Sequence, residues 1–371
     1  MKRLTTILKL LGVALLLLVL GLFAFLYFKS PGITSEFRDA RGKVIENGIA
    51  RMEYVTLGGV KQFILIRGKD VNHPVLLILH GGPGSPELPM FREHNSELEN
   101  HFTVVYWDQR GAGKSVTENV AGNFTMDQFI EDTHQLTGYL KTIFRKEKVF
   151  LLGHSWGSLL GVQTVARYPE DYHAYVGTGQ FGNQPKSDSL SYVFALQKAI
   201  QLSDTVAMND LTRIGAYEDE NLNRTGFMNW LHTSRVYVSK FGGSTADPKA
   251  SMKIFLRPIL NCKEYTITDK YNLIKSNSPS AFANSPFSEM VQTVLKFNLT
   301  QVDELQVPVY FLQGRHDKLT NFSVAKEYFD VLKAPRKEFI EFDQSAHFPA
   351  FEEPGKFNAV MIDRVLEEGR K

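Results

Sequence analysis

Several short stretches of this chain are apolar without a polar interruption, among them VLLIL from Val75, VVYW from Val104, VFLL from Val149 and VYFL from Val309. A strand wetted on one face alternates apolar and polar residues, so runs of this kind belong to strands covered on both faces. Helical patterns separate them. Phe129, Thr133, Leu136, Leu140 and Ile143 step by four and three along one face, behind a Thr125–Gln128 capping box. WGSLLGVQTVARY reads as a helix stopped by Pro169, 321–332 as another after VPVYFLQG, and 357–366 as a last one after the strand KEFIEF. AYVGTG adds a strand after Pro169. Strands alternating with helices give an α/β chain with a mostly parallel sheet and helices on both faces. Ahead of it, IARMEYVTL and VKQFILIRG flank Gly58 and Gly59, a hairpin that opens the domain.

The alternation fails between Gln180 and about Leu305, where helical pieces are punctuated by Gly, Asn and Ser. Both ends of this segment fall between consecutive strands of one sheet. It is therefore read as a lid inserted over the sheet's carboxyl edge, where open α/β folds bind ligands, rather than as a separate domain.

The first thirty residues stand apart. Leu10 to Phe28 carry no charge over 19 residues, about the thickness of a bilayer's hydrocarbon at roughly 1.5 Å per residue. Lys2, Arg3 and Lys9 precede this run and Lys29 follows it. The positive-inside rule then puts the amino terminus in the cytoplasm and the remaining chain outside, as a single-pass signal anchor. The alternative is a secreted protein whose signal is cleaved, against which stand the length of the run and its FAFLYFKSPG ending. The organisation expected is an anchor over 1–30 (membrane helix about 10–28), a linker over 31–48, a first core part over 49–180, the lid over 181–305 and a second core part over 306–371.

Composition excludes several classes. At 371 residues the chain has ample length for a large core, and 43% hydrophobic with 22% charged residues argues against disorder. Lys plus Arg number 42 against 40 acidic residues, leaving +2, so no basic field draws in nucleic acid. The single cysteine, Cys262, rules out an internal disulfide and a zinc ribbon and reads as a small buried apolar residue.

The strongest chemical signal is Gly153-His154-Ser155-Trp156-Gly157, where a buried strand passes directly into a helix. A serine there occupies a sharp turn that needs glycines two positions either side, with Gly161 easing the packing one turn later. The first free N–H groups of the helix then point at the reaction centre. Serine needs a base, and the base an acid to orient it. Asp317 follows the strand VPVYFLQG, and His347 follows KEFIEF, giving the chain order Ser, Asp, His. Of the ten histidines, His347 alone combines a post-strand loop with a place downstream of the acid; His73 and His101 read as surface loops and His154 as packing. The other station for an acid, GTGQFGN, has no carboxylate. Two oxyanion donors are expected from the backbone N–H groups of Trp156 and of Gly82, within His80-Gly81-Gly82-Pro83-Gly84.

No cofactor or metal is expected. Gly111-Ala112-Gly113-Lys114-Ser115 ends like a phosphate-binding loop, but Asp108 stands where that motif needs its first glycine, and no His-Glu-x-x-His spacing occurs.

With these residues in hand, the chain resembles the α/β-hydrolase superfamily and, within it, the prolyl aminopeptidase (proline iminopeptidase) family, in HGGPG at His80, DQRGAGKS at Asp108 and GHSWGS at Gly153. The resemblance implies Ser155 as nucleophile with Asp317 and His347, Gly82 and Trp156 as oxyanion donors, a helical cap before the strand that carries the acid, and a supporting role for Asp108 and Arg110. The chain departs from the family at His154 and Lys114, where Gly and Arg are usual. Family peptidases grip the substrate's free amino terminus with cap glutamates, one beside a tryptophan. Trp230, in GFMNWLHTS, has no carboxylate neighbour, and the run Glu218, Asp219, Glu220 reads as a solvated loop.

The expected function is a serine hydrolase acting through an acyl-enzyme, an aminopeptidase of the proline iminopeptidase type on short peptides. An esterase or lactonase shares its chemistry, and a non-catalytic membrane-anchored binding protein is the alternative from another class. The partners expected are a small-molecule or short-peptide substrate and the membrane.

Overall fold

The computed structural model describes residues 2–116, 124–216, 224–276 and 287–370. Gly58 and Gly59 take φ of 52° and 78°, a turn that folds β1 (Ile49–Leu57) onto β2 (Val60–Gly68) with Leu57 opposite Val60. Six more strands follow: β3 (Val75–Leu79), β4 (Thr103–Asp108), β5 (Val149–His154), β6 (Tyr172–Thr178), β7 (Val309–Gly314) and β8 (Lys337–Phe342). They form one sheet in the order β1-β2-β4-β3-β5-β6-β7-β8. Pairings to β2 are antiparallel and all the others parallel.

The uninterrupted apolar runs have the predicted cause. Leu77, Leu151 and Phe311 enter one hydrophobic core with the helices Met126–Phe144 and Trp156–Arg167. Their neighbours Leu76, Phe150 and Tyr310 enter a second core on the opposite face, with Phe91, Phe357 and Met361. Each strand residue is thus buried whichever way it points, and a buried Leu or Phe contributes about 1.5–3 kcal/mol.

Local detail departs from expectation in places. Thr125 caps its helix, accepting from Gln128 N at 3.2 Å, but the Gln128 side chain donates to Asp132 (2.8 Å) instead of closing a reciprocal box. The helix expected over 357–366 is present but longer: a short piece, Pro349–Glu352, comes first, and a second runs from Pro354–Val360 into a wider turn at Met361–Val365 and a tighter one at Leu366–Gly369. Pro354 lacks the N–H that would continue the first piece, and so starts the second. The helix Leu88–His94, one turn beyond the glycine-rich loop, is an addition to the predicted elements.

Between β6 and β7 the chain is helical: Gln184–Gln201, Thr205–Ile214, Arg224–Lys240, Arg257–Asn261, Ile267–Ser276 and Phe287–Leu295. Its ends are fastened together, Gln184 N donating to Phe297 O (3.0 Å) and Leu299 N to Gly182 O (3.0 Å). The acidic run 218–220 lies outside the described residues.

The amino-terminal helix Lys2–Phe28 contains a 20-residue stretch, Lys9–Phe28, long and apolar enough to cross a bilayer, with its described side chains largely exposed. Just beyond it, Lys270 Nζ donates to Lys29 O (3.1 Å), Ser30 Oγ (2.9 Å) and Leu260 O (2.8 Å).

Candidate active site

Ser155 stands between β5 and its helix with φ 52° and ψ −119°, a conformation unfavourable for any residue with a Cβ. The surroundings enforce it. Ser155 N donates to Thr178 O (3.0 Å), while Ser155 O accepts from Ser158 N (2.8 Å) and Ser158 Oγ (2.7 Å). Gly153 and Gly157 flank the turn because a Cβ on Gly153 would run into the Gly157 carbonyl, and one on Gly157 into the Leu79 carbonyl. The glycine spacing read from the sequence is therefore a packing requirement.

The turn lifts Ser155 Oγ to 2.9 Å from His347 Nε2, and His347 Nδ1 lies 2.9 Å from Asp317 Oδ2. Three residues far apart in sequence, Ser155 and His347 by 192 positions, meet in one chain of contacts. Asp317 is fully buried and its carboxylate is held from both sides. Oδ1 accepts from Leu319 N (2.8 Å) and Thr320 N (3.0 Å); Oδ2 accepts from Gln313 Nε2 (2.8 Å) and Thr320 Oγ1 (2.8 Å). Burial pushes Asp317 up, yet the His347 ring and these donors together hold its pKa below the ordinary value. An ionised carboxylate only accepts, so Nδ1 of His347 carries a proton and Nε2 presents its lone pair to the serine hydroxyl. Burial lowers the His347 pKa, opposed in part by Asp317. The ring is thus kept neutral and ready to take a proton near neutral pH.

Gly82 faces the serine across two cavities that both residues line. Its φ is 116°, and a Cβ there would come within 2.6 Å of Gly84 N and 2.7 Å of Ser85 N. Trp156 is the first residue of its helix, so its N–H has no intrahelical partner. These are the two backbone groups expected to meet a developing oxyanion.

Three motifs prove to be one hydrogen-bonded unit. His80 Nδ1 donates to Gly81 O (2.7 Å) while Nε2 accepts from Gln109 N (3.1 Å); burial lowers this ring's pKa to about 4, which keeps it neutral and suited to both roles. Gln109 Oε1 in turn accepts from Trp156 Nε1 (2.9 Å). The glycine-rich turn, the loop after β4 and the serine turn are so tied together. Asp108 and Arg110 brace the scaffold, as the resemblance implied. Asp108 accepts from Tyr265 Oη (2.7 Å) and Lys114 N (2.8 Å); Arg110 makes a two-pronged pair with Asp132 (2.9 and 3.0 Å), both buried.

His154 does more than pack. Its Nδ1 lies 2.5 Å from Glu87 Oε1 and its Nε2 donates to the carbonyl of His347 (2.9 Å). Burial lowers the His154 pKa, but Glu87, the His347 carbonyl and Asp317 together raise it, for a net upward shift. Sequence reasoning misses Glu87, whose only signal is a carboxylate just after the glycine turn. It also misses Thr320 and Gln313, whose place beside Asp317 the sequence spacing of three and four residues could suggest. Arg235 borders both cavities at the serine and has no sequence signal, since a helix surface is full of arginines. Trp230 is buried, with Nε1 donating to Gly215 O (3.0 Å). Cys262 is buried, as expected of a small apolar residue. No group of three or more metal-ligating side chains occurs among the described residues.

Comparison with known proteins agrees with this fold. The model of a family described as having the alpha/beta hydrolase fold matches residues 74–354. The probable aminopeptidase YbaC of Bacillus subtilis (strain 168) is 31% identical over 314 residues, covering 84% of this chain and 95% of that protein. A proline iminopeptidase of Saccharolobus solfataricus is 24% identical over 315 residues, 81% of this chain and 87% of that protein. Two solved structures share the fold. A proline iminopeptidase-related protein from Thermus thermophilus has a TM-score of 0.59 at 20% identity, over 85% of this chain and 96% of that one. A membrane phospholipase A described as a bacterial virulence factor has 0.57 at 17% identity, over 100% of this chain and 99% of that one.

Proposed function

The chain belongs to the α/β-hydrolase fold family and is a hydrolase, and we propose that it works as a serine hydrolase through an acyl-enzyme formed on Ser155. Ser155 Oγ attacks the substrate's carbonyl carbon as its proton passes to His347 Nε2. Asp317 holds the ring and balances the charge it gains. The carbonyl oxygen, now negative, is received by the N–H groups of Gly82 and Trp156. When the carbon–leaving-group bond breaks, His347 returns the proton to the leaving atom. A water then repeats the sequence, and the freed acid departs. The observation that carries this reading is the pair of 2.9 Å contacts joining Ser155, His347 and Asp317 across a strained turn.

The substrate class favoured is a short peptide with a cleavable amino-terminal residue of the proline type, on the strength of relatives named aminopeptidase and proline iminopeptidase. A second reading, hydrolysis of esters or lactones, is favoured by the apolar wall that Phe181, Met228, Leu231, Val291 and Leu295 raise beside the serine. The amino-terminal helix we read as a membrane anchor with Lys2, Arg3 and Lys9 on the cytoplasmic side; the membrane phospholipase A fold above aligns over this helix as well.

The test is direct. A fluorophosphonate probe should label the wild type and not Ser155→Ala; an unlabelled wild type would leave a non-catalytic binding protein as the better account. Release of free proline from a proline arylamide supports the peptidase, whereas turnover of short acyl esters alone overturns it in favour of the esterase.

A further inference from the structure

Two cavities meet at Ser155. One, of about 310 Å³, is walled mainly by apolar residues of the helices Arg224–Lys240 and Phe287–Leu295. The other, of about 250 Å³, is bordered by Glu87, His154, His347 and Phe348. An acyl-transfer site needs such a pair of spaces, one for the acyl group and one for the leaving group, on either side of the nucleophile. Arg235, from the helix Arg224–Lys240, borders both.

This guanidinium is under-committed. Its recorded acidic contact is Nη2 to Asp188 Oδ1 at 3.3 Å, longer than the roughly 2.7–2.9 Å of a strong charge-assisted bond. The same Oδ1 also accepts from Gln184 Nε2 at 3.1 Å. Arg235 Nε is buried and has no hydrogen-bond partner among the described residues. The rest of the side chain is about a third exposed and borders both cavities, and a charged group so loosely partnered there invites an acceptor from the ligand. Burial raises the Asp188 carboxyl to about 6 in spite of Arg235. The Arg235 charge is felt at His347, whose pKa it lowers.

We propose that Arg235 is the receptor for a carboxylate on the substrate, so that this hydrolase selects acyl compounds bearing a carboxylate a few bonds from the scissile carbonyl. A planar guanidinium can offer a carboxylate paired N–H donors, a geometry a lysine cannot match. The proposal rests on the serine-hydrolase reading above and narrows its substrate class. The carboxylate has two sources to distinguish: the leaving amino acid of a dipeptide, or the far end of a dicarboxylic acyl group.

Two matched pairs distinguish them. The first compares kcat/KM for prolylglycine and prolylglycinamide, the second for the 4-methylumbelliferyl monoesters of glutaric and butyric acid. Wild-type protein should prefer the charged member of at least one pair by about tenfold or more, the loss expected when a bidentate charge-assisted pair is missing, and the pair that responds identifies the source. Arg235→Gln should bring that ratio close to one, and Arg235→Lys should leave it intermediate; fluorophosphonate labelling of each variant reports an intact site. Ratios within about twofold of one in both pairs for the wild type, or a preference that survives Arg235→Gln, overturn the proposal. Failure of the underlying hydrolase reading looks different: the wild type takes no fluorophosphonate label and turns over neither member of either pair, and the proposal falls with it.

Discussion

The ring of His154, one residue before the serine, donates through Nε2 to the main-chain carbonyl of His347 at 2.9 Å. Its other nitrogen is paired with Glu87, beside the glycine-rich turn. One side chain thus joins the loop that carries the base to the loop that carries an oxyanion donor. Replacing His154 by Ala leaves the Glu87 carboxylate buried without its cation, and such removals cost about 3–5 kcal/mol. The urea midpoint of His154→Ala should fall accordingly, and Glu87→Gln, which keeps a hydrogen-bonding group of the same shape, should lose less. Equal midpoints for His154→Ala and wild type would show that the pair contributes nothing to stability.

Asp317→Asn removes the acceptor that fixes the His347 tautomer. Turnover should drop by about 10⁴ while the protein still folds, since the amide oxygen can keep the Leu319 and Thr320 N–H bonds while the Thr320 hydroxyl turns to accept from the amide N–H. Steady-state kinetics and circular dichroism on the same sample test this. A drop of less than about tenfold, far short of the loss a wrong tautomer brings, would assign Asp317 a structural role alone.

The pH profile follows from the direction of the His347 shift. A base must be unprotonated, so kcat/KM falls as the pH drops through the free enzyme's His347 pKa. Burial lowers that value beneath 6.5, which places the midpoint of the acid limb below 6.5. Because the Arg235 charge lowers it too, Arg235→Gln should move the limb to higher pH. A wild-type midpoint above 6.5 contradicts this electrostatic account.

Gly161 is where the serine helix crosses Tyr175. A Cβ there would sit 2.6 Å from Tyr175 Cε2, and the ring cannot retreat freely because its hydroxyl bonds Ser158 O (2.9 Å) and Gln180 Oε1 (2.8 Å). Gly161→Ala should therefore destabilise by about 1–3 kcal/mol, the usual range for overpacking. Gly157→Ala, which collides with the main chain at Leu79, should prevent accumulation of folded protein. Thermal melts and soluble yield separate the two.

Those glycines also mark how far the sequence can be read. Uninterrupted apolar runs specify a sheet covered on both sides, and the glycine spacing around Ser155 specifies a sharp turn, because both are local steric facts. The chain order of Ser155, Asp317 and His347 is legible for the same reason: each follows a recognisable strand. Glu87, His154 and Arg235 are not, since their roles depend on loops and helices distant in sequence arriving side by side. His154 in particular reads as packing, because adjacency to the serine says nothing of a Glu87 side chain 67 positions upstream. The short piece Pro349–Glu352 ahead of the carboxyl-terminal helix escapes because four residues are too few to show a period.

Lys270 grips the exit of the amino-terminal helix through Lys29, Ser30 and Leu260, and one turn further along the same helix Leu273 forms part of the wall of the second cavity. The exit of the apolar helix and the rim of the serine's chamber therefore lie one helical turn apart, joined through Lys270 and Leu273 with no strand of the sheet between them in sequence.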